Sequence, residues 1–252
     1  MIRDEAVCIR HWDFSETSQT VWLFMREHGL IRGLAKGARR EKGSFSGGIE
    51  LLTRGEVGAS LKSGRDLATL TDWNLLEIFP ATTRSLRGFN AAMYFADLTG
   101  SLLQEQDPHP ALYDALVECL RGLQKDEGAM GRVVLRLQWT ALRESGFQPI
   151  VDRDARTGKA IAITGTLHFS ASAGGLVDET EANSRLSDIW RVRAETVAAL
   201  KEAERIAVDG MGEGASDAVS VERANRLLAA YVRTVLHREL PTMRPLLGAL
   251  DV

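Results

Sequence analysis

The sequence predicts an α+β protein in which a small N-terminal β-barrel is followed by a mainly α-helical region carrying a loop-rich insert. Three observations predict it. Apolar residues alternate with period two from Glu5 to about Leu76, the period lengthens to that of helices after Pro80, and Gly, Ser, Thr and Asp break up the apolar pieces between residues 147 and 182. A chain of 252 residues with 44% hydrophobic and 26% charged residues can bury a sizeable core without metal or disulfide staples. Two domains are the working organisation, 1–79 and 80–252, the second containing the insert at 147–182.

The strands are read from alternation: Val7, Ile9 and His11; Val21, Leu23 and Met25; Ile31, Gly33 and Ala35; Ile49, Leu51 and Thr53; Val57, Ala59 and Leu61; Leu67, Thr69 and Thr71. His28-Gly29 and Ser63-Gly64 supply tight hairpins, because Gly accepts the positive φ such turns require. Five or six short strands must close or pack to avoid bare edges, which favours a small barrel such as the OB-fold. Beyond Pro80, the stripe Leu86, Phe89, Met93, Ala96 and Leu103 predicts a helix from about Thr82 to Gln104, stopped by Asp107-Pro108-His109-Pro110. Pro110 opens a second helix with Ala115, Leu116, Cys119, Leu120 and Leu123 inward, and Gly128 and Gly146 bracket a third. Helical periodicity returns from Leu186 to about Ile206, and a last helix runs from about Val219 to His237 after the Gly210–Gly214 loop.

Charge is informative by its distribution. Net charge is -3, which excludes a uniformly basic nucleic-acid binder. Between Arg26 and Arg65, however, nine basic residues face four acidic ones. Such a cluster fits a solvated face and a polyanion-binding surface equally well. Cys8 and Cys119 lie far apart within apolar patterns, as expected of two buried thiols in a reducing compartment. With no signal-peptide pattern and no apolar run of membrane-spanning length, the expected location is cytoplasmic, nucleoid-associated, without membrane partners.

One segment is specific. Gly33-Leu-Ala-Lys36-Gly37-Ala-Arg39-Arg40-Glu-Lys42 resembles the basic loop of RecO-family recombination mediators, which reads as a small residue followed by K/R-G-x-R-R/K-x-K/S. Neighbouring segments agree: Asp13-Phe14-Ser15-Glu16-Thr17-Ser18, Val21-Trp22-Leu23-Phe24, Glu27-His28-Gly29, Leu67-Ala-Thr-Leu70-Thr and Leu76-Glu-Ile-Phe79-Pro80. The likeness is strong over residues 5–105 and weaker beyond. It implies an OB-fold that binds single- and double-stranded DNA and anneals complementary strands. It also implies contacts with single-strand-binding protein and RecR, and through them help in loading RecA.

The candidate DNA-binding residues are Arg32, Lys36, Arg39, Arg40, Lys42 and Phe45: cations that replace counterions on phosphate, and one ring that stacks on a base. Arg32, Leu34 and Lys36 share one face of the third strand by alternation. Trp12 is a second stacking candidate, whereas Trp22, Phe24 and Trp73 read as barrel core or rim, and Arg84 and Arg87 as a solvent face. Docking of an acidic, apolar tail of single-strand-binding protein, implied by the resemblance, makes Arg121, Arg132 and Arg136 the partner-binding candidates.

Many family members carry a zinc insert with two Cys-x-x-Cys pairs. Here Asp154 and Thr157 fall at the first pair and Asp178 and Glu181 at the second, so the insert is expected to be a degenerate zinc-finger-like region without cysteines, metal or cofactor. No enzyme is expected. The chain has no GxxxxGK[ST], HExxH or GxSxG, and its five histidines are scattered singly. Two alternatives stand beside the mediator: a protein adaptor that docks partners on its barrel without binding DNA, and a metal-dependent nuclease using Asp152 with Asp154 or Asp178 with Glu179.

Overall fold

A computed structural model describes residues 1–40, 43–45, 47–61, 67–123, 127–178, 189–209 and 214–250. The chain forms two compact units, Met1–Gln124 and Lys125–Val252. Five strands open the first: β1 (Ile2–Asp13), β2 (Gln19–Met25), β3 (Gly29–Ala35), β4 (Thr53–Ser60) and β5 (Ala68–Ile78). They close in the order β1-β2-β3-β5-β4, with β4 returning antiparallel to β1 and β3 meeting β5 in parallel from Gly33 opposite Ala68 to Ala35 opposite Leu70. Closure leaves the sheet no edge. Inside lie Ala6, Cys8, Val21, Leu23, Met25, Ile31, Val57, Ala59, Leu70 and Trp73, the inward half of each alternating strand.

Two local departures from alternation shape this unit. The β1–β2 register shifts between Cys8 and Arg10, a bulge that places buried Ile9 against Gly100 instead of in the barrel core. The expected strand through Ile49, Leu51 and Thr53 forms only from Thr53 onward. Gln19 Oε1 accepts the Ile49 N–H at 2.9 Å, Leu52 adopts a positive φ of 57°, and its N–H donates to the Cys8 carbonyl at 2.8 Å. Ile49 therefore plugs the barrel from a loop, and its spacing mimicked a strand.

The hairpin at Gly29 appears where the sequence placed it. Residues 26–28 connect β2 to β3, with Met25 opposite Gly29. Gly29 has φ 68°, and a Cβ there would collide with the Asp107 carbonyl. The Ser63-Gly64 turn and the loop at 210–213 lie outside the described residues.

The helix expected from Thr82 to Gln104 is divided into α1 (Ala81–Arg84) and α2 (Leu86–Leu102). Ser85 between them is extended, φ -137° and ψ 123°, and its side chain accepts the Gly88 N–H, so a capping serine restarts the helix. Pro110 opens α3 (Pro110–Gly122) as its first residue, and Tyr113 packs edge-on against Phe24 at 5.8 Å. Both helices belong to the same compact unit as the barrel.

The second unit begins with α4 (Glu127–Glu144). Gly146, φ 80°, ends it in a Schellman motif: the Gly146 N–H donates to Arg143 O and the Phe147 N–H to Leu142 O. The stretch beyond it is loop-rich but contains strands β6 (Thr166–Ser170) and β7 (Gly175–Val177), which join β8 (Ile189–Arg193) in the order β7-β6-β8. Helical structure was expected from Leu186. Instead, Ile189–Arg193 pairs antiparallel with β6, because Ile-Trp-Arg-Val-Arg alternates and its β-branched and aromatic residues suit a pleated surface. Helix α5 (Ala194–Asp209) starts only after it. Asp217 caps α6 (Ala218–Val235) by accepting the Val219 and Ser220 N–H groups, and α7 (Met243–Leu247) follows. A buried amide pair ties α4 to α6, with Gln138 Nε2 donating to Asn225 Oδ1 at 2.7 Å.

Replacing Gly29 with Ala is expected to destabilise the first unit by about 2 kcal/mol, since it combines a positive φ with a backbone collision. Urea unfolding followed by tryptophan fluorescence measures this, and an unchanged midpoint would show that the hairpin relaxes without cost.

Candidate nucleic-acid interface

The inward half of each strand fills the barrel, while of the outward half Val7, Ile9 and Phe24 are buried beneath the helices and other residues reach solvent. Across β1, β2 and β3 the register aligns Arg10, Trp22 and Arg32 in one row, with Trp12, Thr20 and Leu34 in the next. The Arg10 and Arg32 guanidinium carbons lie 5.1 and 4.8 Å from the Trp22 ring centroid, the range of cation–π attraction. Trp12 meets Trp22 edge-on at 6.2 Å and is 48% exposed. Phe14, just past the end of β1, is 64% exposed.

Arg10 is anchored to buried Asp97, and Arg32 to half-exposed Glu105. The basic loop continues from β3. Lys36 is exposed at the strand's end, Gly37 turns the chain at φ 67°, and the Arg40 N–H donates to Gly37 O at 3.1 Å. Arg39 is held by its backbone N–H to Thr17 O, while its guanidinium contacts Asp13 Oδ2 at 2.9 Å. That ion pair is open to water on both sides, 47% and 63% exposed, so it contributes less than about 1 kcal/mol and a phosphate can displace the carboxylate. Neither Lys36 nor Arg40 forms an ion pair with any described residue.

The structure thus places Arg32, Lys36, Arg39 and Arg40 along β3 and its loop. Lys42 lies outside the described residues. Phe45 requires a correction. It is only 5% exposed and packs in the barrel core with Ile49 and Trp73, so its ring is unavailable to a base. The segment that carries it drops across the barrel, with the Trp73 N–H donating to Ser44 O at 2.9 Å. Trp73 and Phe24 are buried as read from the sequence, but Trp22 is only partly buried on the outer face. Arg10 and Trp22 are the site residues that sequence reasoning missed. Trp22 faces outward by the alternation of Val21, Leu23 and Met25 itself, whereas aligning Arg10 with it requires the Cys8–Arg10 bulge.

The partner-binding candidates fall in both units, Arg121 in the first and Arg132 and Arg136 one turn apart on α4 in the second. Arg121 forms a two-pronged pair with Glu77, at 2.7 and 2.6 Å, and Arg54 adds a third bond to the same carboxylate at 3.0 Å. The Arg121 hydrogen bond holds the Glu77 carboxyl below the usual carboxylate range, ahead of the opposing effect of burial. Arg132, partly buried on α4, donates to the Ser216 carbonyl at 2.6 Å, and Arg136 is also partly buried on that helix. Both cysteines are buried free thiols, and burial pushes the Cys8 thiol up to about 12.

The insert shows what occupies the positions matched to zinc ligands. Asp154 is 1% exposed. Its Oδ1 accepts the Arg156 and Thr157 N–H groups at 2.9 and 2.7 Å, and its Oδ2 accepts the Asp178 N–H at 2.7 Å. Three of the four matched positions therefore meet around one carboxylate whose oxygens are already satisfied by backbone donors, while Glu181 lies outside the described residues. With neither thiolate nor imidazole and with its acidic oxygens occupied, this set does not fit zinc. Among the described residues no group of three His, Cys, Asp or Glu is placed to hold a metal ion, and Asp152 contacts Arg153 at 3.1 Å.

A closed five-stranded barrel of OB type leads into helices and bears arginine and indole on its outer face. Residues 1–79 match the family described as "Recombination protein O N terminal", and residues 84–244 match "Recombination protein O C terminal". The chain belongs to the RecO family of DNA repair proteins. It is 30% identical to the DNA repair protein RecO of Anaeromyxobacter sp. (strain K), over 96% of this chain and 97% of that protein. It is 35% identical to that of Rhodopirellula baltica and 31% identical to that of Syntrophotalea carbinolica. Those two matches cover 69% and 68% of this chain but only 64% and 66% of the relatives' own length. Among the described residues, no helix is long and apolar enough to cross a membrane.

Burial pushes the Asp154 carboxyl up, but the Thr157, Asp178 and Arg156 N–H groups prevail and hold it down at about 2, against an ordinary 3.8. A depressed native pKa means that the stabilisation is present above about pH 4 and is lost as pH falls through about 2. Asp154→Ala strands three backbone donors and is expected to destabilise the second unit by on the order of 2 kcal/mol at neutral pH. Chemical denaturation at neutral and acid pH measures both, and the variant's deficit should shrink in acid.

Proposed function

We propose that this chain is a recombination mediator that binds single- and double-stranded DNA on the outer face of its barrel and anneals complementary strands. With RecR, it helps load RecA onto DNA coated by single-strand-binding protein. One observation carries the DNA-binding reading: Lys36 and Arg40 project from the loop after β3 without an ionic partner among the described residues, beside an arginine-flanked indole. Their charge is therefore available to phosphate. Annealing needs no bond-making chemistry, since a cationic surface that neutralises two polyanions lowers the repulsion between them. The grip is assigned to residues 1–79, and docking of the protein partners to 80–252, with Arg121, Arg132 and Arg136 as candidate contacts. Family membership supports the assignment of partners, and the protein is taken to act in the cytoplasm on the nucleoid.

The charge-reversing pair Lys36→Glu with Arg40→Glu tests the reading by fluorescence anisotropy on labelled single-stranded oligonucleotides. Affinity should fall about tenfold or more, and the dependence of log K on log salt should become shallower by about 1.4, or about 0.7 per lost phosphate contact. Both side chains are exposed, so the unfolding free energy from urea denaturation should stay within about 0.5 kcal/mol of wild type. Undiminished affinity in the folded variant would place DNA binding elsewhere.

A further inference from the structure

We propose a second nucleic-acid contact in the second unit, in the groove between β8 and α6. The groove has a volume of about 500 Å³ and is lined by four arginines, Arg191, Arg193, Arg223 and Arg226, with Trp190 and Leu227 among its apolar residues. Among the described residues, no acidic side chain lines it. Arg191 and Arg193 alternate with buried Val192 on β8 and are exposed, and Arg223 is exposed on α6. None of these three pairs with a carboxylate among the described residues, while Arg226 donates to the Ala249 carbonyl at 2.7 Å. Four arginines lining one groove concentrate positive charge in a chain of net charge -3, which favours an anionic ligand there.

The chemistry selects the ligand. Guanidinium forks bind phosphate through paired N–H donors, and arginines spread along a groove match the repeated charge of a sugar-phosphate chain. Trp190 is stacked parallel to Phe169, with centroids 5.9 Å apart and an interplanar angle of 2°, which fixes the indole while its remaining surface lines the groove. A fixed indole beside Leu227 is an apolar seat for a base. Arginines and an indole lining one groove are the two elements of a single-strand platform. The ligand class rests in part on the reading of the barrel as a DNA-binding face, but the site is separate from it. A protein with two such surfaces can hold two strands at once, which annealing requires.

The test uses the full chain, fluorescein-labelled oligothymidylate for binding and two complementary oligonucleotides for annealing. In Arg191→Glu with Arg223→Glu, affinity should fall about fivefold to tenfold with a shallower salt dependence, and the annealing rate should fall as well. Combined with the barrel pair, the loss should exceed that of either pair alone. The neutral pair Arg191→Gln with Arg223→Gln gives the same direction with a smaller effect and excludes misfolding by charge reversal. Wild-type binding and annealing by the groove variants, with the barrel variant impaired, would overturn the second site and leave the barrel reading intact. Loss restricted to the groove variants would overturn the barrel reading instead. A groove variant that keeps full DNA affinity but loses an Asp/Glu-rich peptide with an apolar end would make the groove a protein-docking site and overturn the proposal.

Discussion

Closure of the barrel is the constraint on which the first unit depends. Pairing β3 in parallel with β5, and β4 with β1, commits every inward residue of five strands to one core and removes both sheet edges. A single-residue slip would exchange the two faces of a strand, taking Leu23 out of the core and putting Trp22 in. Core packing therefore fixes the position of the outer row. Arg10, Trp22 and Arg32 are aligned because Cys8, Val21, Leu23 and Ile31 are buried, and the bulge at Ile9 is what brings Arg10 into line with Trp22.

Much of the architecture was legible in the sequence because period two is a strong signal over a closed sheet. Gly29, Pro110 and Gly146 mark real turns and helix ends for conformational reasons intrinsic to those residues. Legibility failed where a tertiary contact overrode a local pattern. Ile49 sits at strand-like spacing but is held in a loop by Gln19, thirty residues away. Ile189–Arg193 borders a helical segment and becomes strand because β6 is there to pair with it. The site was partly legible for the same reason. Lys36, Arg39 and Arg40 were legible as charges on a turn-flanked loop, but composition alone fitted a solvated face equally well, and the family resemblance is what singled them out. Phe45 was not legible, since a phenyl ring next to a basic loop fits a stacking role and a core role equally, and its burial favours the core by about 2 kcal/mol.

The insert is tied together by a carboxylate. Asp154 draws three backbone N–H groups, from Arg156, Thr157 and Asp178, to one buried group, and so joins two chain segments. A structural zinc would take electron pairs from deprotonated side chains, whereas a carboxylate accepts hydrogen bonds from neutral amides. Thr157 and Asp178 therefore contribute to this junction through their backbones, which places no demand on their side chains as ligands.

The outer face of the barrel combines anchored and displaceable charge. Arg10 is tied to buried Asp97, and Arg32 lies over Trp22 as well as against Glu105, so both are held in position before any ligand arrives. Arg39 and Asp13 form a pair that solvent reaches from both sides, and Lys36 and Arg40 extend past it. A preordered side chain loses less conformational entropy on meeting any ligand than one that must first be ordered, so the Arg10–Trp22–Arg32 row and the exposed charges of the loop differ in what engagement costs them. On a chain of net charge -3, this local excess of cations is held against the overall balance by the fold of β3 and its loop.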